Sequence, residues 1–270
     1  MSALTLRLRA PPPLSVDMSV VSPERLAGLT RTQVETLDLE VGNRTVALGE
    51  LFAVSGDDPH SMVVENAHAR LTHLGAGMRG GMLSVEGDAG DYTGLRMSAG
   101  QIVVAGSAGS FAGCEMSGGA IEIRGSAGDF LGAALAGDKQ GMRGGLIHVR
   151  GRAGDRVADH MRRGLILLEE GAGAYLGSRM LAGTVLAKGT VGPQPGYGLK
   201  RGTLLLYEAP RELPATFNDC GAHDLLFLTV LERELAKQSE LAAFLPLPRR
   251  VRRYCGDLAT GGKGELLLPA

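Results

Sequence analysis

Between Met78 and Tyr207 the apolar positions fall into columns rather than into a helical stripe. One column reads Leu83, Ile102, Ile121, Ile147, Ile166, Val185 and Leu204. A second, two residues on, reads Val85, Val104, Ile123, Val149, Leu168, Ala187 and Leu206. Residues two apart on a strand share a face, so each unit predicts a short strand with two side chains in one core. A third column, Met78, Met97, Met116, Met142, Met161, Met180 and Leu199, stands three residues before a glycine each time, from Gly81 to Gly202. The step is 19 residues (83 to 102, 102 to 121), stretched once to 26 between Ile121 and Ile147.

Between these strands runs a second motif, glycine-x-alanine-glycine-x-aromatic-x-glycine. It is written out at Gly87–Gly94, Gly106–Gly113 and Gly125–Gly132, and returns in part at Gly151-Arg152-Ala153-Gly154 and Gly171-Ala172-Gly173. Self-similarity at a fixed short period is the mark of a solenoid. Nineteen residues leave no room for the helices of ankyrin or tetratricopeptide repeats, and the leucine-rich signature is absent. The prediction is an all-β solenoid: a right-handed parallel β-helix of about seven 19-residue turns, with a small α/β N-terminal cap and a C-terminal helix. Glycine permits positive φ and close backbone approach, which assigns Gly87, Gly90, Gly106, Gly109, Gly125, Gly128, Gly151 and Gly154 to corners. The competing assignment, a phosphate cradle, lacks both the helix and the lysine that a P-loop requires.

The residue between the two core columns should face outward: Ser84, Val103, Glu122, His148, Leu167, Leu186, Leu205. Its last three members are apolar, so the C-terminal helix or a partner subunit must cover them. Residues 1–56 lie outside the repeat and predict a cap. Within it Leu4–Leu8 alternates as a strand, Ser22-Pro23-Glu24 starts a helix through about Leu29, and two strands flank Gly42-Asn43 between Val34 and Phe52. Residues 57–208 form the coil; in its imperfect first turn Met62–Asn66 resembles Leu83–Gly87 at a 21-residue step. The stretch Gly132–Gly141 enters one turn as an insertion, and solenoids send insertions to surface loops. Residues 209–270 leave the pattern, with a helix over His223–Lys237 whose stripe is Leu225, Leu228, Leu231 and Leu235, and a basic run Arg249-Arg250-Val251-Arg252-Arg253.

The chain has 270 residues and a formal net charge of −1, which offers no electrostatic draw to nucleic acid or membrane. No apolar run is long enough to span a bilayer, and no signal-peptide core opens the chain. Three cysteines, Cys114, Cys220 and Cys255, lack metal-site spacing and predict thiols in a cytoplasmic protein. The six histidines form no metal or catalytic motif, and no nucleophile elbow occurs. Asp88, Asp91, Asp129 and Asp155 could pair across turns as glycosidase or lyase carboxylates, but aspartate is equally a turn residue that bonds local backbone. Neither a catalytic set nor a metal site is predicted. With no tryptophan and 4% aromatics, a stand-alone β-helix enzyme acting on polysaccharide is the weaker alternative; a hexapeptide-repeat acyltransferase is excluded by its 18-residue turn.

Taken together, several motifs give the chain a family resemblance: Gly42-Asn43 followed by Leu48-Gly49-Glu50-Leu51-Phe52-x-Val54, the paired Gly77-Met78-Arg79-Gly80-Gly81 and Gly141-Met142-Arg143-Gly144-Gly145, and the 19-residue ladder. The chain resembles the C subunit of formylmethanofuran dehydrogenase, itself related to the glycine-rich β-helix domain that ends the glutamate synthase large subunit. The resemblance implies one of two contexts. In bacteria a similar subunit belongs to a formyltransferase/hydrolase complex that carries a formyl group from tetrahydromethanopterin to a methanofuran-like carrier and on to formate. In methanogens it belongs to a molybdenum or tungsten enzyme reducing CO2. Arginine in excess over lysine favours the bacterial context. The resemblance implies a non-catalytic scaffold with catalytic A, B and D subunits as partners, no cofactor on this chain alone, the metal in another subunit, and a carrier with a polyglutamate tail. Arg79, Arg143, Arg249, Arg250, Arg252 and Arg253 are the candidate contacts for that tail, and Leu167, Leu186 and Leu205 for a partner.

Overall fold

The computed structural model describes residues 2–270. The apolar columns become the rungs of one 13-stranded, mostly parallel sheet. Its centre is a run of parallel strands: Asp58–Ala67, Arg79–Gly87, Ala99–Val104, Ala120–Ile123, Arg143–Val149, Arg163–Leu168, Thr184–Ala187 and Thr203–Leu206. The register is the sequence ladder itself: Leu83 faces Ile102, Ile102 faces Ile121, Ile121 faces Ile147, and Val185 faces Leu204. The 26-residue step leaves this pairing in register, because the extra residues leave the sheet between strands. Residues 136–140 of the insertion are exposed.

Both inward columns and the methionine column are buried throughout. Away from the sheet the same period recurs. Isolated parallel bridges join Ala89 to Ala108, Ala108 to Ala127 and Ala127 to Ala153. A third line of backbone bonds runs from Tyr92 N to Ser110 O (2.9 Å), from Phe111 N to Asp129 O (2.8 Å) and from Phe130 N to Asp155 O (2.8 Å). Successive 19-residue units therefore bond to one another on more than one side, an arrangement compatible with a β-helix.

The columns run further than the repeat. Ala3–Leu8 lies parallel to Asp58–Ala67, pairing Leu4 with Met62 and Leu6 with Val64, and Phe52–Ser55 adds an antiparallel edge. At the other end Gly264–Pro269 lies parallel to Thr203–Leu206, with Leu204 facing Leu266. Val251–Gly256 and Asn218–His223 follow it antiparallel. These three C-terminal strands are absent from the sequence prediction, which has only a helix and a tail there.

The N-terminal segment forms a four-stranded sheet with Leu71–Thr72, in which Asp38–Val41 and Arg44–Ala47 make the expected hairpin around Gly42-Asn43. Its first helix is shorter than predicted, Pro23–Leu26, because Ala27 (ψ 126°) already leaves helical geometry. Val34 lies in a helix, Arg31–Glu35, rather than a strand. A capping box starts it: the Thr30 side chain accepts from Gln33 N while the Gln33 side chain accepts from Thr30 N. The C-terminal helix is Leu226–Leu235, and His223 belongs to the strand before it.

Leu167, Leu186 and Leu205 are completely buried, by the chain's own C-terminal segment. Leu228, Leu235, Leu241, Phe244, Leu247, Val251 and Leu267 close over them as a second core. Of the two covers the sequence allowed, the structure contains the C-terminal one, so these leucines do not offer a docking surface. His148, in the same column, is likewise buried rather than at the surface, with its ring edge-on to Phe244 at 5.8 Å. Polar ties fasten the cover: Tyr207 Oη donates to Phe244 O (3.0 Å) and Lys188 Nζ to Ala243 O (2.7 Å). Burial pushes the Tyr207 phenol up to about 12.

Candidate functional site

The corner glycines answer to close packing more than to unusual dihedrals. Of Gly87, Gly90, Gly106, Gly109, Gly125, Gly128, Gly151 and Gly154, only Gly87 has φ in the left-handed region, at +132°. At the others a Cβ would run into the preceding rung: 2.6 Å from Ala69 O at Gly90, 2.7 Å from Gly87 O at Gly106, and 2.7 Å from Ser110 N at Gly128. Left-handed positions recur elsewhere in the motif, at Gly94, Gly113 and Gly132 and, among others, at His73, Tyr92, Phe111, Phe130, Arg156 and Tyr175. There the side chains form an outer stack: His73 on Tyr92 at 4.8 Å, Tyr92 on Phe111 at 5.0 Å, and Phe111 on Phe130 at 4.8 Å, each nearly parallel. The Arg156 guanidinium continues the line over the Tyr175 ring at 4.9 Å. Near-exact repetition thus places like side chains in register, one rung above the next.

The corner aspartates bond backbone. Asp88 accepts from Ser107 N (2.8 Å), Asp91 from Ser110 N (2.7 Å), Asp129 from Asp155 N (2.7 Å) and Asp155 from Ala174 N (2.7 Å). Each carboxylate therefore caps the rung after its own, the turn-residue role.

The insertion is tethered to the coil. Glu115 accepts from Arg96 Nε (2.8 Å) and from Leu135 N (3.2 Å), and Arg96 Nη2 reaches Asp138 at 3.4 Å. Burial acts to raise Glu115, but Arg96, the Asp138 carboxyl and the Leu135 N–H together hold it below the ordinary carboxylate range. The neighbouring Glu115 pushes Asp138 the other way.

The basic run is not a block of unpaired charge. Because Val251–Gly256 is a strand, Arg252 and Arg253 point to opposite faces. Arg252 binds Asp219 (2.5 and 2.9 Å), Arg253 binds Glu265 (2.7 Å) and Arg250 binds Asp224 (3.3 Å). Arg249 is exposed, with no ion pair among the described residues. Arg79 and Arg143 are both exposed, but three rungs apart, roughly 14 Å at normal strand spacing.

A cleft of about 790 Å³ opens where the chain leaves the coil, lined by Arg152, Thr190, Pro193, Tyr197, Leu213 and Asp257 among others. Two of its charged groups, Arg152 and Asp257, already serve the fold. Arg152 donates to Glu170 O, Ala172 O and Thr190 O. Asp257 is buried and accepts from Gly198 N (2.9 Å) and Ala259 N (3.0 Å). Among the described residues no group of three or more His, Cys, Asp or Glu side chains could hold a metal ion. No described helix is long and apolar enough to cross a membrane. An apolar surface does stand out on the helix Leu226–Leu235. Its inner stripe packs on the buried leucines, while Leu226 (80% exposed), Phe227 and Val230 face outward.

No protein-family model matches the chain. It is similar over nearly its whole length to a chain of the crystal structure of the formyltransferase/hydrolase complex FhcABCD of Methylorubrum extorquens in complex with methylofuran. The identity is 42% and the TM-score 0.93, and the match covers 98% of this chain and 99% of that one. The C subunit of the formyltransferase/hydrolase complex Fhc from the same organism is 43% identical over 86 residues. The C subunit of the tungsten-containing formylmethanofuran dehydrogenase 2 of Methanococcus maripaludis is 30% identical over 97. These last two alignments span about a third of each curated relative, 32% and 36%.

Proposed function

The chain belongs to the family of C subunits found in formyltransferase/hydrolase and formylmethanofuran dehydrogenase complexes, and from this premise we propose that it is the scaffold subunit of a formyltransferase/hydrolase complex. The observation that carries this reading is the match of the whole chain, cap and C-terminal extension included, to a chain of FhcABCD at 42% identity. The complex would move a formyl group from tetrahydromethanopterin to a methanofuran-type carrier and release it as formate, in the cytoplasm. Catalytic A, B and D subunits would do the chemistry, with the metal in another subunit, while the exposed Arg79, Arg143 and Arg249 of this chain are the candidate contacts for the carrier's polyglutamate tail. The tungsten-enzyme context is the alternative; the higher identity to the Fhc subunit supports the bacterial one.

In this reading residues 57–208 wind as a right-handed β-helix of about seven turns, capped by residues 1–56 and 209–270. A rod whose rungs bond on several sides holds its partners at a fixed separation. The outer stripe Leu226, Phe227 and Val230 supplies an apolar contact for a partner subunit, the role that Leu167, Leu186 and Leu205 cannot fill. Affinity purification of the tagged chain from its own cells tests the reading: formyltransferase and hydrolase subunits should come with it. Recovery of the chain alone would refute it. Leu226→Asp with Val230→Asp should weaken co-purification at least tenfold while the purified chain keeps its melting temperature; full retention of partners would remove the helix from the interface.

A further inference from the structure

Two of the three cysteines meet at the sheet edge, although 35 positions separate them in sequence. Asn218–His223 is the outermost strand, and it pairs antiparallel with Val251–Gly256. Asn218 faces Cys255 and Asp219 faces Tyr254; the register then shifts, so that Ala222 faces Arg252. Cys220 and Gly221 together therefore oppose the single residue Arg253, a β-bulge that Gly221 enters with φ +83°. Cys220 lies two residues beyond Asn218, so it shares a face with Cys255 and sits diagonally across from it.

The surroundings are uneven in a useful way. Cys220 is exposed and Cys255 half-buried. Burial pushes the Cys255 thiol up, and the neighbouring Cys220 side chain adds to the shift. Arg253 stands opposite the bulge in the ladder, and its guanidinium pulls the Cys255 thiol back down against that shift. The bulge is also held in place: His223 Nε2 bonds Cys220 O at 2.8 Å, and Asp219 accepts from Gly221 N at 2.9 Å. Cys114, by contrast, is buried far from any other cysteine, and burial pushes it up to about 12.

We propose that Cys220 and Cys255 form a reversible dithiol–disulfide site that takes a low-molecular-weight disulfide as its oxidant. The exposed Cys220 gives its proton to solvent, and its sulfur attacks one sulfur of that disulfide. One small thiol leaves, and a mixed disulfide remains on Cys220. Cys255 gives its proton to solvent and attacks Cys220 Sγ; the protein disulfide forms and the second small thiol leaves. Two protein thiols lose two electrons, and one disulfide becomes two thiols. The bond closes a loop over residues 221–254, which contains the helix Leu226–Leu235, and so fastens the cover over Leu167, Leu186 and Leu205. This inference is independent of the scaffold reading.

The test incubates the full-length chain with oxidised glutathione, alkylates remaining thiols after unfolding, and maps the peptides by mass. The expected result is loss of two of three alkylatable thiols and a Cys220–Cys255 cross-linked peptide, reversed by dithiothreitol. Cys255→Ser should stop at glutathione on Cys220, and Cys220→Ser should keep its thiols. Limited proteolysis between Asp224 and Arg250 should slow by about tenfold in the oxidised chain, since loop closure disfavours opening. Glutathione persisting on Cys220 of the unsubstituted chain, a cross-link between two copies, or an unchanged thiol count would each overturn the proposal.

Discussion

Replacing Gly128 by alanine isolates what holds one rung against the next. A Cβ at this position would lie 2.7 Å from Ser110 N and 2.8 Å from Gly109 C and Ser110 Oγ. A carbon needs about 3.5 Å, so the rungs must part locally by roughly 0.7 Å. Gly128 N donates to Ala108 O at 3.0 Å and Gly109 O at 3.3 Å, and that opening carries both contacts past hydrogen-bonding distance. Overpacking strain of about 1–3 kcal/mol and about 1 kcal/mol for the lost bond give a destabilisation of roughly 2–4 kcal/mol. In a chain of this size that lowers the melting temperature by roughly 5–15 °C. Two companion variants separate packing from conformation. Gly77 has φ +69° with no atom within 4 Å of a built Cβ, so Gly77→Ala should cost only the left-handed penalty, about 1–2 kcal/mol. Gly80 has neither the dihedral nor a neighbour, so Gly80→Ala should be neutral or stabilising by about 0.4–1 kcal/mol. Thermal unfolding followed by circular dichroism ranks the three. Equal melting temperatures for the Gly128 and Gly80 variants would refute the account of close-packed rungs.

Leu186→Ala removes the middle of the second core, where the side chain is fully buried. It should cost about 2–5 kcal/mol and release residues 209–270 to protease first, and a neutral effect would mean that the cover is not held there. Phe111→Ala breaks two ring stacks at 5.0 and 4.8 Å, at about 0.5–1.5 kcal/mol each, whereas Phe111→Tyr should leave urea unfolding unchanged. The hydrogen bond from Arg252 holds Asp219 below its ordinary 3.8. A depressed native value means the pair's contribution is present above the ordinary carboxylate range and is lost as pH falls through the native value. Arg252→Gln should return the Asp219 carboxyl to the ordinary range in an NMR titration, and an unmoved midpoint would deny the pairing.

How far the chain could be read from sequence follows from how often each feature repeats. Columns such as Leu83, Ile102 and Ile121 stand out because seven copies sample the same buried position, and their pairing register is the sequence period itself. Even the 21-residue step from Met62 to Leu83 and the 26-residue step from Ile121 to Ile147 keep that register. Leu4 and Leu266 occupy the same column at its two ends, beside Met62 and Leu204, yet neither stands a repeat period away from its neighbour in sequence, so neither shows in the pattern. Cross-rung capping was within reach: once the period is known, Asp88 stands 19 before Ser107 and Asp91 19 before Ser110. The aromatic stack was equally legible from Tyr92, Phe111 and Phe130. The basic run misled because four arginines in five residues look like one patch, whereas strand alternation and Asp219, Asp224 and Glu265 divide it. Those acids come from two separate segments, one around the strand Asn218–His223 and one in Gly264–Pro269, so only tertiary structure brings them to the arginines. The same holds for Cys220 and Cys255, whose meeting depends on a bulge that no spacing rule encodes. A repeat therefore declares its own interior, while pairings among residues that do not repeat, such as Arg252 with Asp219, are set by tertiary structure alone.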